Sequence, residues 1–112
     1  MKITIDSLSQ DINNLKINQP LIHNITNYVA MTTSANVLLA VGASPLMAHA
    51  NEELAQIITL SQSLILNIGT LDTAWLATME HAQQLAKQKK IPIILDPVGA
   101  GASQLRTNAA LN

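Results

Sequence analysis

The sequence predicts an α/β protein built on a parallel sheet, and three observations carry that expectation. Short apolar runs alternate with longer stretches of helical periodicity, the pattern of successive βαβ units. Two of the runs, around Leu64 and Ile91, are apolar on both faces, as strands covered by helices on both sides require. With 112 residues and 48% of them hydrophobic, the chain can bury a sizeable core of Leu, Ile, Ala and Val.

Leu8, Ile12 and Leu15 recur at spacings of four and three, which predicts an amphipathic helix over Ser7–Asn18, capped by Ser7 and closed by Pro20. Leu21–Ile25 reads as a short strand, with polar groups in Asn24-Ile-Thr-Asn27 where it ends. Tyr28–Val41 is helical in pattern, stops at Gly42 and lacks a charged face, so a buried helix is expected. Ala43–Ala48 is a short extended passage. Asn51 is expected to cap a helix led by Glu52 and Glu53, acids suited to a helix N-terminus. Ser63–Gly69 is a strand-length apolar run. Asp72 caps the next helix, which repeats Trp75, Leu76, Met79, Ala82 and Leu85 and ends in Lys87, Lys89 and Lys90. Ile91–Leu95 is the third clear strand, and Ser103 or Thr107 opens a last helix.

Composition excludes several functions. Charged residues make up 12% of the chain, against about 25% for an ordinary soluble domain. That shortage suggests that much of the surface meets further protein. Six basic and seven acidic residues give a net charge of −1, with no basic patch for nucleic acid. No apolar run approaches the ~18 residues of a membrane span, and the N-terminus lacks the form of a signal peptide. The absence of cysteine removes disulfides and thiolate metal sites and fits a cytoplasmic protein.

In a parallel sheet the loops after the strands share one rim, where α/β proteins usually bind ligands. Here they are Asn24–Asn27, Pro45–His49, Asn67–Thr70 and Asp96–Gly101. Asp96 is their only acid. It can serve as a carboxylate on the side of Mg²⁺ and phosphate, or as a turn acid before Pro97. Gly99-Ala-Gly101 is neither a Walker loop nor a dinucleotide fingerprint, since no Gly-Lys-Ser/Thr follows and Gln104 replaces the third glycine. It can approach an anion or simply form a flexible turn. His23, His49 and His81 lack metal-ligand spacing; His23 reads as a satisfied core residue and His81 as surface. Met47 and Trp75 read as core, although Met47 lies on the expected rim. Arg106, the sole arginine, can pair with a phosphate or cap a surface.

Four blocks then carry a family likeness: Pro20-Leu-Ile-His-Asn-Ile-Thr-Asn27, Ala35-Asn-Val-Leu-Leu-Ala-Val-Gly-Ala-Ser-Pro-Leu-Met47, Leu66-Asn-Ile-Gly-Thr-Leu71 and Leu95-Asp-Pro-Val-Gly-Ala-Gly-Ala102. In order and spacing they resemble hydroxyethylthiazole kinase, over almost everything after Pro20. The resemblance implies a ribokinase-like parallel-sheet fold. It also implies transfer of the ATP γ-phosphate to the hydroxyl of 4-methyl-5-(2-hydroxyethyl)thiazole in thiamine salvage, with Mg²⁺, in a homotrimer. By the same resemblance Asn27, Val29 and Met47 line the thiazole pocket, Gly69 and Thr70 lie close by, and Asp96 stands on the Mg²⁺–phosphate side.

The sequence also departs from the family. Members are more than twice this long, and their later half carries a Gly-Ala-Gly-Cys anion-binding element and most nucleotide contacts. Gly99-Ala-Gly101 is not that element, because Ala102 follows it. Residues 1–112 are therefore expected to be the N-terminal part of a single kinase domain, containing no catalytic residue of the anion hole and inactive alone. Two alternatives stand beside this reading: another ribokinase-like vitamin kinase, acting on pyridoxal or hydroxymethylpyrimidine, and a non-catalytic oligomeric thiazole-binding module.

Overall fold

The computed structural model describes residues 2–112. Its elements run α1 (Ile5–Asn18), β1 (Leu21–Ile25), α2 (Met31–Val41), β2 (Ser44–Met47), a 3₁₀ turn (Asn51–Glu53), α3 (Leu54–Leu60), β3 (Ser63–Asn67), α4 (Thr73–Lys89), β4 (Ile93–Asp96) and α5 (Gln104–Leu111). The four strands form one sheet in the order β2-β1-β3-β4, and every pair is parallel. The expected fold class is thus observed. Successive strands are joined by helical crossovers, the one through α3 passing over β1 from β2 to β3, and all strands end on one rim.

Side-chain alternation along the strands divides the sheet into two faces. On one face Ile25, Leu64 and Leu66 pack with Leu54 and Ile58 of α3 and with Trp75, Met79, Ala82 and Ala86 of α4, forming the buried core. The small Ala82 and Ala86, both fully buried, let α4 approach closely. Asn24, Ile65 and Asn67 belong to the opposite face, which α2 covers only in part.

Several expectations need correction. Helix α1 starts before Ser7: Thr4 is its cap, and Ser7 answers it, each side-chain oxygen accepting from the other residue's backbone N–H at 3.1 and 2.9 Å. This reciprocal pairing is a capping box, with serine in the place of the usual Glu or Gln. Helix α2 starts at Met31, because the Asn27 side chain accepts from Ala30 N–H and holds residues 28–30 in a turn. Nor is α2 buried, for Val37 and Leu39 are more than half exposed. Asn51 caps no helix; its Oδ1 meets His81 Nδ1 at 2.7 Å, which ties His81 down rather than leaving it a bare surface residue.

Strand β4 begins at Ile93 and is not covered on both faces, with Ile94 55% and Leu95 42% exposed. It is the outer strand of the described sheet and pairs with β3 alone. Asp72 caps α4 as predicted, accepting from Trp75 N–H, and of the two candidates for α5 it is Ser103, not Thr107, that caps it, accepting from Arg106 N–H. Lys89 donates to the carbonyls of Ile58, Thr59 and Ser61, placing a cation at the C-terminus of α3.

Candidate functional site

The site is organised by the last residues of two adjacent strands. Parallel pairing sets Asn67 of β3 beside Asp96 of β4. Asn67 Nδ2 donates to Asp96 Oδ2 at 2.9 Å. Its Oδ1 accepts from Asn27 Nδ2 at 2.5 Å and from Gly69 N–H at 2.9 Å. Two donors at one end and a carboxylate at the other fix the orientation of this carboxamide. Asn27 closes the network, since its Oδ1 receives Ala30 N–H at 2.8 Å. Three rim loops are thereby joined through buried amides whose bonds offset their desolvation.

Gly69 is required at its position by space. A Cβ there would lie 2.6 Å from Asn27 Nδ2, so only glycine lets the β3 loop close over Asn27. Thr70 Oγ1 accepts Tyr28 N–H at 3.1 Å and ties the same loop to the turn before α2. Beside this network a cleft of about 310 Å³ opens between α2 and the sheet. Asn24, Thr26, Asn67 and Asp96 supply its polar wall, while Ile65 and Val37 supply apolar surface. Its volume lies at the lower end of the range for small-molecule pockets, about 300–1,000 Å³.

Of the six residues singled out by resemblance, the structure joins Asn27, Gly69, Thr70 and Asp96 at the rim. Met47 ends β2, paired in register with Asn24 on the far side of β1, and Val29 is exposed in the turn before α2. Of the six, only Asp96 lines the cleft itself. The residue missed in the sequence is Asn67, the hub of the network. Its signal was positional: it is the polar residue ending an apolar strand adjacent to the strand that ends in Asp96.

Two further groups shape the rim. His49 stacks on Trp75 with centroids 4.6 Å apart, and Tyr28 meets the same indole edge-on at 5.3 Å. His23 is fully buried, as expected, but only half satisfied: its Nε2 lies 2.7 Å from the Ala48 carbonyl, while Nδ1 has no partner. Since a carbonyl only accepts, Nε2 carries a proton and donates to Ala48 O. Burial lowers its pKa below the usual value, against the smaller opposing effects of the Ala48 bond and the Glu53 charge.

Among the described residues no group of three or more His, Asp or Glu side chains is placed to hold a metal ion. Asp96 offers one carboxylate, with Oδ2 already oriented by Asn67. That donor set fits Mg²⁺, which commonly takes one or two carboxylates and completes its shell with water and substrate phosphates.

A parallel α/β sheet with a carboxylate-bearing cleft at the carboxyl ends of its strands places the chain among α/β proteins, which usually bind small ligands at that rim. Comparison with known proteins narrows this class. The model of the hydroxyethylthiazole kinase family matches residues 12–112. A hydroxyethylthiazole kinase of Methanococcus vannielii is 56% identical over 93% of this chain and 39% of its own length. One from Pyrococcus abyssi is 55% identical over 89% of this chain and 38% of its own. The solved structure of hydroxyethylthiazole kinase protein from Pyrococcus horikoshii OT3 superposes with a TM-score of 0.93 at 48% identity, covering 96% of this chain and 42% of that one. The chain belongs to the hydroxyethylthiazole kinase family. It spans about 40% of the length of the curated relatives it matches.

Proposed function

We propose that residues 1–112 form the N-terminal part of a single kinase domain that phosphorylates the hydroxyl of 4-methyl-5-(2-hydroxyethyl)thiazole with ATP. The observation that carries this reading is Asp96, held by Asn67 on the strand-end rim of a chain with this family membership. Phosphoryl transfer asks a protein chiefly for positioning and charge neutralisation. Asn27, Gly69 and Thr70 are proposed to hold the substrate end of the site, with Val29 and Met47 offering apolar surface to the thiazole ring. Asp96 is proposed to hold Mg²⁺, which when bound would neutralise charge on the phosphate oxygens.

The proposed assembly is a homotrimer in the cytoplasm. Support comes from the low charged fraction and from the exposure of Tyr28, Val29, Val37 and Leu39 around α2, apolar surface suited to burial between subunits. No described helix is long and apolar enough to cross a membrane.

Calorimetry tests the substrate. Thiazole alcohol should bind the chain, and Asn27→Ala should weaken binding by about tenfold or more, the loss expected when buried polar groups lose a partner. Binding of pyridoxal or hydroxymethylpyrimidine in its place would assign the site to another vitamin kinase. ATP-dependent phosphorylation of the thiazole alcohol by the isolated 112-residue chain would overturn the claim that the domain needs a further part.

A further inference from the structure

Arg106 presents a physical problem. It lies in the first turn of α5, three residues after the Ser103 cap, where positive charge has the wrong sign for the helix dipole. What offsets this is a set of main-chain carbonyls. Nη1 donates to Ile68 O at 2.9 Å and Val98 O at 2.8 Å, and Nη2 donates to Gly69 O. Ile68 and Gly69 directly follow Asn67; Val98 lies two residues after Asp96. The rigid guanidinium fork thus spans the two loops whose strands end in the Asn67–Asp96 pair.

The glycines of Gly99-Ala-Gly101 acquire a reason in the same arrangement. Gly99 has φ +75°, and a Cβ on it would lie 2.9 Å from Arg106 Cδ, so its bare backbone makes room for the arginine stem. Gly101 has φ +92°, and its N–H donates to Thr107 Oγ1 at 3.0 Å, fixing the loop to α5 one residue beyond the arginine. The segment is a seat for Arg106.

We infer that Arg106 is a positioning residue for the rim: by gripping both loops it fixes Gly69, and through Gly69 N–H the carboxamide of Asn67 that orients Asp96. The chain of contacts is continuous, from Nη2 to Gly69 O, from Gly69 N–H to Asn67 Oδ1, and from Asn67 Nδ2 to Asp96 Oδ2. The guanidinium is directed at carbonyls, so its contribution to the site is geometric. Lysine would keep the charge but could not form the fork.

The consequence for ligand affinity rests on the thiazole-alcohol reading; the consequence for the rim itself does not. The test compares Arg106→Met and Arg106→Lys with the unaltered chain by NMR and calorimetry, with Gln104→Ala as a control on the exposed side of α5. In Arg106→Met, Gly69 N–H should exchange with solvent about tenfold faster or more. The Asn67 side-chain amide resonances should shift, and thiazole alcohol should bind about tenfold more weakly. Arg106→Lys should restore part of each effect, and Gln104→Ala should change none of them. If Arg106→Met does not fold, the same measurements on Arg106→Lys decide the matter, with smaller shifts of the same kind expected. Unchanged Gly69 exchange and Asn67 resonances in a folded Arg106 variant would overturn the inference. Changed resonances in a protein that never binds thiazole alcohol would uphold it and sink the functional reading instead.

Discussion

Asn67 and Asp96 end neighbouring parallel strands in register, and the carboxamide nitrogen of one lies 2.9 Å from the carboxylate of the other. Because Oδ1 of Asn67 is already committed to Asn27 and Gly69, the amide cannot turn away without abandoning two donors. Asp96 is consequently held by a group that is itself held. Such support is what a carboxylate needs to present a defined geometry to a metal or phosphate.

Asn67→Asp tests that support. The two donors retain an acceptor, but two carboxylates now face each other where an amide donated. Stability at pH 7 should fall by about 1–3 kcal/mol, the cost of losing a charged hydrogen bond and adding repulsion. The loss should shrink on acidification, as the pair takes up a shared proton. Urea unfolding at pH 7 and pH 5 reads both effects; equal losses at the two values would contradict the arrangement.

Gly69→Ala tests close packing at the same place. The added Cβ would lie 2.6 Å from Asn27 Nδ2, far inside contact distance. Asn27 must then move, breaking its bond to Asn67. A loss of about 1–3 kcal/mol is expected, as for other overpacked sites. Thermal unfolding measures it, and altered Asn27 side-chain amide resonances would place the effect.

His23 predicts a pH dependence. Its folded pKa lies below the ordinary value of 6.5, so the unfolded chain binds more protons through that range. Stability therefore rises with pH there, and it declines as pH falls through 6.5 toward the lower folded value. His23→Gln can keep a donor toward the Ala48 carbonyl while removing the titration. Between pH 7.5 and 5.5, the melting temperature of the unaltered chain should fall more steeply than that of the variant. Parallel curves would remove His23 as the cause.

Lys89→Met tests the staple between α4 and α3. Three carbonyls at the end of α3 lose their cation, at a cost of about 1–2 kcal/mol. Hydrogen exchange at Ser61 N–H, which bonds to Ile58 O, should accelerate before that of the α4 core.

Much of the fold was legible along the chain. Strand β1 lies where the apolar run predicts it, and the caps at Asp72 and Ser103 are local features of short-range chemistry. The errors have local causes too. Ser7 answers a cap rather than being one, because Thr4 has the better position three residues earlier. Asn51 was assigned by type to a cap, but an amide can reach another helix, and it found His81. The site was half legible: Asp96 and Asn27 are visible as polar residues at strand ends. Asn67 and Arg106 were hidden as hub and clamp, since Asn27 and Asp96 lie 40 and 29 residues from Asn67, and Ile68 and Gly69 lie 38 and 37 from Arg106.

The sequence by itself determined the alternation of strands and helices and the residue types gathered at one rim. These follow from periodicity, caps and breakers, which act over a few residues. Only the tertiary structure decided which polar groups meet there. Parallel register brings Asn67 against Asp96, and the return of α5 brings Arg106 across both loops, because sheet pairing and crossover geometry join residues that no local pattern connects.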